Sequence, residues 1–375
     1  MHYLDNAATT RVLPEAAEAA VHAMCEGFGN PSSLHKMGIE ASHLLEDSRK
    51  TVASALGCLP EETYFTSCGT ESTNISLRGA AHLNRHKKGR IITTEIEHAA
   101  TLNTCKQLAA EGFDVVFLAP DGTGHITPAA LEEALTEDTV LLSCQLVNNE
   151  IGTVQPVAEL GALLKAKAPG ALFHIDAVQG LCRVRLTPKK WNCDLMSVSG
   201  HKIGAPKGIG ALYVKKGLRL PPLMSGGGQE KGMRPGTEPL PNIAAFAKAC
   251  AVRMAHFDED YAHVAELAAY LKEQAAANLP DAAFNGQGDV PHVVNLSIPG
   301  CKSEVMLRVL EGDEVYVSSG SACSKGKQSG VLRALGLPKA RTDSAIRVSF
   351  APFNTKEDVD AFINAAQKGV KMLRR

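Results

Sequence analysis

The chain has 375 residues, 45% of them hydrophobic and 21% charged, which is ordinary globular usage with room for a large core. Its net charge of −1, with no long block of either sign, gives no bulk field to attract a nucleic-acid backbone or an anionic membrane. The start, Met1-His2-Tyr3-Leu4-Asp5, lacks a basic region followed by an apolar stretch, and no run reaches the roughly 18 apolar residues that span a bilayer, so a cytoplasmic protein is expected.

From about residue 15 to 215, helical patterns alternate with β-rich runs at 90–95, 115–119, 140–146, 172–176, 195–199 and 210–214. Such alternation predicts an α/β fold with a largely parallel sheet flanked by helices. After Gly226-Gly227-Gly228 the text becomes Ala-rich and helical, with a connecting helix predicted over 258–279. Runs at 293–298, 315–318 and 346–350 then alternate with helices at about 303–312, 329–336 and 355–373, which predicts a second, smaller α/β domain. The expected division is a large domain over 15–257 and a small domain made of 1–14 and 258–375.

The ten cysteines form no Cys-x-x-Cys pair and have no histidines at zinc-finger spacing, so no metal site is expected. Most should be small buried apolar side chains.

In open parallel sheets, ligands gather beyond the carboxyl ends of the strands. The run 172–176 ends in Asp176, and 195–199 is followed by Gly200-His201-Lys202. A lysine there can form a Schiff base with an aldehyde cofactor, and an aspartate can pair with a protonated pyridine nitrogen. Taken alone, the two residues are better explained by an ion pair at a strand edge. Phe65-Thr66-Ser67-Cys68-Gly69-Thr70 reads as a strand entering a turn and then a helix over about 70–83. The free N–H groups at its start suit a phosphate, though ordinary capping by Ser or Thr explains the same letters. His98 opens another helix, where an imidazole can lie against a ring or move protons, or serve structure alone. Asn149 follows a further strand and can reach a phenolic oxygen, while turn formation also explains Asn148-Asn149.

These segments resemble the class V branch of the aspartate-aminotransferase fold (fold type I), specifically the cysteine desulfurases of the NifS/IscS type. The resemblance runs nearly end to end. It rests on Tyr3-Leu4-Asp5-Asn6-Ala7-Ala8-Thr9-Thr10, Gly29-Asn30-Pro31-Ser32-Ser33, Glu97-His98, the stretch 147–152, Ser199-Gly200-His201-Lys202, the stretch 234–238, Gly320-Ser321-Ala322-Cys323-Ser324 and Ile346-Arg347-Val348-Ser349. The resemblance implies pyridoxal 5'-phosphate as cofactor, held by Lys202, with Asp176 on the pyridine nitrogen, Gln179 and Asn149 at the phenolic oxygen, and His98 stacked on the ring. It implies that Gly69, Thr70, Ser199 and His201 hold the phosphate, and that Thr237 reaches it from the other subunit of a homodimer. Arg347 is implied to take the substrate carboxylate through a two-pronged hydrogen bond.

Cys323 stands apart from the other thiols, because Ser318 to Lys327 is small, polar and flexible, and Lys325 and Lys327 favour a thiolate if they lie close. The resemblance makes it the group that takes sulfur from L-cysteine, leaving L-alanine, and passes a persulfide to an acceptor for sulfur-containing cofactor or iron–sulfur cluster synthesis, or tRNA thiolation. Three departures from the family pattern are visible. Cys68-Gly69 replaces a common Gly-Ala, Pro-Ser is missing after Cys323, and Phe350-Ala351-Pro352 replaces Leu-Gly or Leu-Ala. A selenocysteine lyase or another class V lyase or aminotransferase is the alternative within the fold. A non-catalytic sulfur carrier or scaffold is the alternative outside it.

Overall fold

A computed structural model describes residues 1–84, 86, 89–320 and 328–374. Its strands are β1 (His2–Tyr3), β2 (Thr63–Thr66), β3 (Arg90–Thr94), β4 (Asp114–Leu118), β5 (Thr139–Gln145), β6 (Leu172–Asp176), β7 (Leu195–Ser199), β8 (Gly210–Val214), β9 (Ala283–Phe284), β10 (Val293–Ser297), β11 (Val315–Tyr316) and β12 (Ala345–Ser349). Seven of them form the main sheet in the order β2-β8-β7-β6-β5-β3-β4. Only β8 in this sheet runs against its neighbours. Every residue of β5, β7 and β8 is buried, as expected of strands covered on both faces.

Register matters for the site. Gln145, Asp176 and Ser197 lie in one cross-strand row, and Ser199, Gly210 and Thr66 in another, so the segments that follow β2, β5, β6 and β7 emerge along one edge. The row is locked upstream by His174, whose Nδ1 lies 2.8 Å from Ser143 Oγ and whose Nε2 lies 2.9 Å from Ser197 Oγ. Burial holds this imidazole neutral, with its pKa lowered to about 3.

The later strands build two smaller sheets. Strands β12-β10-β9 are antiparallel, and β1 pairs in parallel with β11. The structure also contains a helix at Leu240–Ala255 and the connecting helix at Phe257–Asn278, whose acidic first turn suits the positive end of the helix dipole. One hydrophobic core surrounds the main sheet around Phe173, Ile175, Val198 and Phe246, and a second gathers Leu4, Leu267, Leu296, Ile346 and Phe362.

Some predicted runs are shorter in the structure. The run 315–318 pairs as a strand only through Tyr316, because Ser318 turns to bridge Arg347 instead. The predicted helix over 329–336 is limited to Gly330–Ala334, where Ser329 Oγ accepts the Leu332 N–H and Gly336 adopts a φ of 71°. β1 and β9, two residues each, carry no periodicity that could be read in advance.

The first thirteen residues form a strap between the two cores. Leu4 is fully buried in the second core, and Asn6 Nδ2 donates to Ser349 O (2.9 Å) and Asn354 Oδ1 (3.1 Å). Beyond it, Thr10 N donates to His201 O and Leu13 N to Gly204 O, at the edge of the main sheet. Asp5, Ala7 and Ala8 are thereby suspended over the ends of the strands. Among the described residues, no helix is long and apolar enough to cross a membrane, and no cluster of three His, Cys, Asp or Glu side chains could hold a metal.

Candidate active site

A cavity of about 450 Å³ opens over the carboxyl edge of the main sheet, within the range of small-molecule sites. Gly69, Thr70, His98, Asn149, Asp176, Gln179, Ser199, His201, Lys202 and Arg347 all line it. Thr237 is exposed and does not line this chain's cavity. Cys323 lies outside the described residues.

Lys202 ends a short 3₁₀ turn after β7, and its Nζ donates to Ala7 O (2.7 Å) and Ala8 O (2.8 Å). No ion pair joins it to Asp176, so the strand-edge salt bridge allowed by the sequence is not what these residues form. Burial, and then the positive charges of Arg347 and Arg183, lower its pKa to about 7. The amine is therefore substantially uncharged near neutrality, the form that attacks an aldehyde.

Asp176 is buried, and its Oδ1 accepts the Val178 N–H at 3.0 Å. Burial raises its pKa, opposed chiefly by the positive charge available on His98. Burial in turn lowers the pKa of His98, against the attraction of Asp176. His98 is the N-cap of its helix, and its Nδ1 accepts the Ala100 N–H at 3.1 Å. That bond places the proton of the neutral ring on Nε2, and the ring also lines the cavity, so capping and site geometry coincide.

The helix Gly69–Leu83 starts at the cavity wall, and its N-cap residue Cys68 supplies no side-chain cap. The capping alternative is thus not realised, and the first N–H groups have no intrahelical acceptor. A Cβ on Gly69 would stand 2.7 Å from Val178 Cγ2, so glycine is what lets the backbone close up here. His201 lies opposite, its Nδ1 3.2 Å from Thr9 Oγ1, and burial lowers its pKa to about 4.

Of Asn148 and Asn149, the first makes the turn. Asn148 Oδ1 accepts from the N–H groups of Glu150 (2.8 Å) and Ile151 (3.0 Å), and its Nδ2 donates to Ile96 O. Asn149 is left to line the cavity, while its carbonyl accepts from Arg347 Nη1 at 2.7 Å. Gln179 Nε2 donates to Ala7 O (2.8 Å), and its Oε1 accepts from Arg183 Nη1 (2.6 Å). Arg347, on β12, is 2% exposed and donates through Nη2 to Asp5 Oδ1 at 2.7 Å.

Sequence reasoning assigned no role to several residues the structure brings here. Glu97, quoted only as part of a motif, is a buried carboxyl in the cavity wall. Its Oε1 accepts from Thr94 Oγ1 and Gln145 N, its Oε2 has no partner, and burial pushes its pKa up to about 8. Glu150 also lines the cavity, accepting from Ser329 Oγ. Asp5 and the carbonyls of Ala7 and Ala8 arrive through the strap. The one signal for them was the quoted stretch Tyr3 to Thr10, which says nothing about direction.

The family model of aminotransferase class-V matches residues 2–362. The chain belongs to this family. Within it, the chain is 40% identical over 376 residues to a cysteine desulfurase of Trichormus azollae, covering 99% of this chain and 93% of the relative. It is equally identical to cysteine desulfurase IscS of Methanosarcina thermophila, covering 99% and 92%. Among solved structures, a NifS-like protein superposes with a TM-score of 0.94 at 36% identity, covering 99% of both chains. SspA, solved in complex with cysteine, superposes with a TM-score of 0.84 at 34% identity, covering 95% of this chain and 100% of that one.

The cavity of this class V chain fits pyridoxal phosphate on its own terms. A lysine with a depressed pKa lines the cavity, the buried Asp176 carboxylate makes no ion pair with the described residues, and an uncapped helix start with no room for a side chain offers N–H groups to an anion.

Proposed function

We propose that the chain is a pyridoxal-phosphate-dependent cysteine desulfurase that converts L-cysteine to L-alanine and collects the sulfur as a persulfide on Cys323. The observation that carries this reading is the convergence of Lys202, Asp176, His98 and Arg347 on one cavity at the strand edge. The cysteine desulfurase relatives that match over nearly the whole chain support the same reaction.

In this reading Lys202 holds the cofactor, Asp176 pairs with the pyridine nitrogen, and Gln179 and Asn149 serve the phenolic oxygen. Gly69, Thr70, Ser199 and His201 hold the phosphate, with Thr237 contributed by the second subunit of a homodimer. When bound, the cofactor supplies electron withdrawal that weakens bonds at the substrate's α- and β-carbons. Arg347 anchors the substrate carboxylate, and its buried guanidinium resists rotation because Asp5 and Asn149 O fix two of its nitrogens. Lys202 Nζ, with a pKa of about 7, takes and returns the proton at the α-carbon. His98 keeps its neutral-ring proton on Nε2 because the Ala100 N–H occupies Nδ1.

The Cys323 thiolate takes the substrate sulfur. The carbon–sulfur bond breaks, the sulfur–sulfur bond forms, and the electron pair left on carbon is protonated to give the methyl group of alanine. The persulfide then passes to an acceptor thiol outside the chain, in the cytoplasm. A large domain over 15–257 carries the cofactor, and 258–375 together with 1–14 carries the cysteine.

The test is L-alanine release from L-cysteine, with reductant and added pyridoxal phosphate, by the wild type and by Cys323→Ser. Alanine from the wild type alone is the expected result. Alanine from both, or from neither, overturns the role of Cys323 or the choice of substrate.

A further inference from the structure

Asp5 and Arg347 form a pair that the proposed reaction does not require. Arg347 Nη2 donates to Asp5 Oδ1 at 2.7 Å and Nη1 donates to Asn149 O at 2.7 Å, while Nε is buried without a partner. The guanidinium is 2% exposed, so its charge is met inside the protein rather than by solvent. Asp5 is held in place from both sides: its backbone bridges Ser349 on the strand that carries Arg347, and Leu4 before it is fully buried. The backbone that carries the carboxylate is therefore fixed beside Arg347.

We infer that Asp5 sets the charge specificity of the Arg347 subsite, admitting a ligand with one carboxylate and disfavouring a ligand with two. This rests on the reading of Arg347 as the carboxylate anchor. A carboxylate that takes the remaining N–H donors of Arg347 joins a guanidinium already neutralised by Asp5, and so leaves one surplus negative charge. A second carboxylate on the ligand adds a second surplus charge, finds no further arginine among the described lining residues, and meets Asp176 and Glu150 in the same walls. Uncompensated like charges in a partly buried site discriminate strongly between ligands. Cysteine, with one carboxylate and an uncharged side chain, suits this arrangement, whereas dicarboxylic amino acids of similar size do not.

The test is calorimetric binding of propionate and succinate to the cofactor-loaded protein, two anions that lack an amine and cannot react. The wild type is expected to bind propionate more tightly than succinate. In Asp5→Asn, succinate affinity should rise about tenfold or more and propionate affinity by no more than about threefold, collapsing the preference. Asp5→Ser, which also removes the charge, should move the same way, and a melting curve for each variant shows that it is folded. An unchanged ratio in both variants, equal binding of the two anions by the wild type, or no propionate binding by the wild type overturns the inference. Arg347→Met separates the two levels. Loss of both anions supports Arg347 as the anchor, whereas unaltered binding of both shows that the anchor reading, and not the role of Asp5 alone, is wrong.

Discussion

The Nζ of Lys202 and the carbonyl of Ala7 stand 2.7 Å apart, although 194 residues separate them along the chain between positions 7 and 202. The amine rests on a backbone acceptor that brings no charge, which leaves burial and the nearby arginines free to depress its pKa to about 7. The rate at which apoprotein takes up pyridoxal phosphate should therefore climb between about pH 6 and pH 8 and then level off. Stopped-flow absorbance across that range checks it. A rate still climbing steeply toward pH 10 would mean an unperturbed lysine.

Glu97 makes a pH-dependent contribution of opposite sign to the usual carboxylate. Its folded pKa, raised to about 8, lies above the ordinary value of 4.5, so between these values the folded state holds a proton that the unfolded state has lost. Stability from this group is present below about pH 4.5 and is lost as pH rises toward 8. Glu97→Gln, which mimics the protonated form, should leave the melting temperature nearly unchanged at pH 5 and raise it relative to wild type at pH 8.5. A difference that does not depend on pH would contradict the assignment.

Arg49 and Glu230 form a buried two-pronged ion pair, with both Nη–Oε distances 2.8 Å, and Glu230 Oε2 also accepts the Phe65 N–H. Glu230 and Lys231 both adopt positive φ, of 46° and 55°, a conformation costly for residues with side chains and one that the ion pair helps to hold. Removing one partner strands the other charge, so Glu230→Gln should cost about 3–5 kcal/mol in urea unfolding. Replacing both residues together with apolar side chains should cost less than the single change.

Gly320 packs against the carboxyl of Glu150 at a φ of 115°, where a Cβ would come within 2.9 Å of Oε2. Ser329 Oγ donates to the same oxygen. Gly320→Ala should lower alanine formation by about tenfold and stability by about 1–3 kcal/mol, while the visible absorbance of the bound cofactor stays unchanged. Loss of the absorbance would place the damage in the cofactor site instead.

The main sheet was readable because each strand is a short apolar run bounded by turn residues. The predicted runs at 172–176, 195–199 and 210–214 match β6, β7 and β8 in both ends, and the others differ by a residue or so. The positions of Asp176, His98 and Lys202 were readable for the same reason, since Asp176 ends a strand, His98 opens a helix and Lys202 closes the short turn after a strand. Asp5 was not, because a two-residue strand has no period and its contact with Arg347 joins opposite ends of the chain. The exchange of tasks between Asn148 and Asn149 was also beyond a sequence reading, since either asparagine could form the turn. Hydrogen-bond direction settled it.

His174 does not line the cavity, yet the spacing of the strand edge beneath that cavity depends on it. Its two ring nitrogens meet hydroxyls on both neighbouring strands, so sliding either strand by one residue would turn that serine to the opposite face and leave a polar imidazole stranded in apolar surroundings. Asp176 sits two residues downstream of His174, and Ser199 two residues downstream of Ser197. The imidazole thus acts as a vernier stop: its hydrogen bonds admit a single alignment of three strands, and that alignment measures out where the Asp176 carboxylate and the Ser199 hydroxyl stand relative to one another.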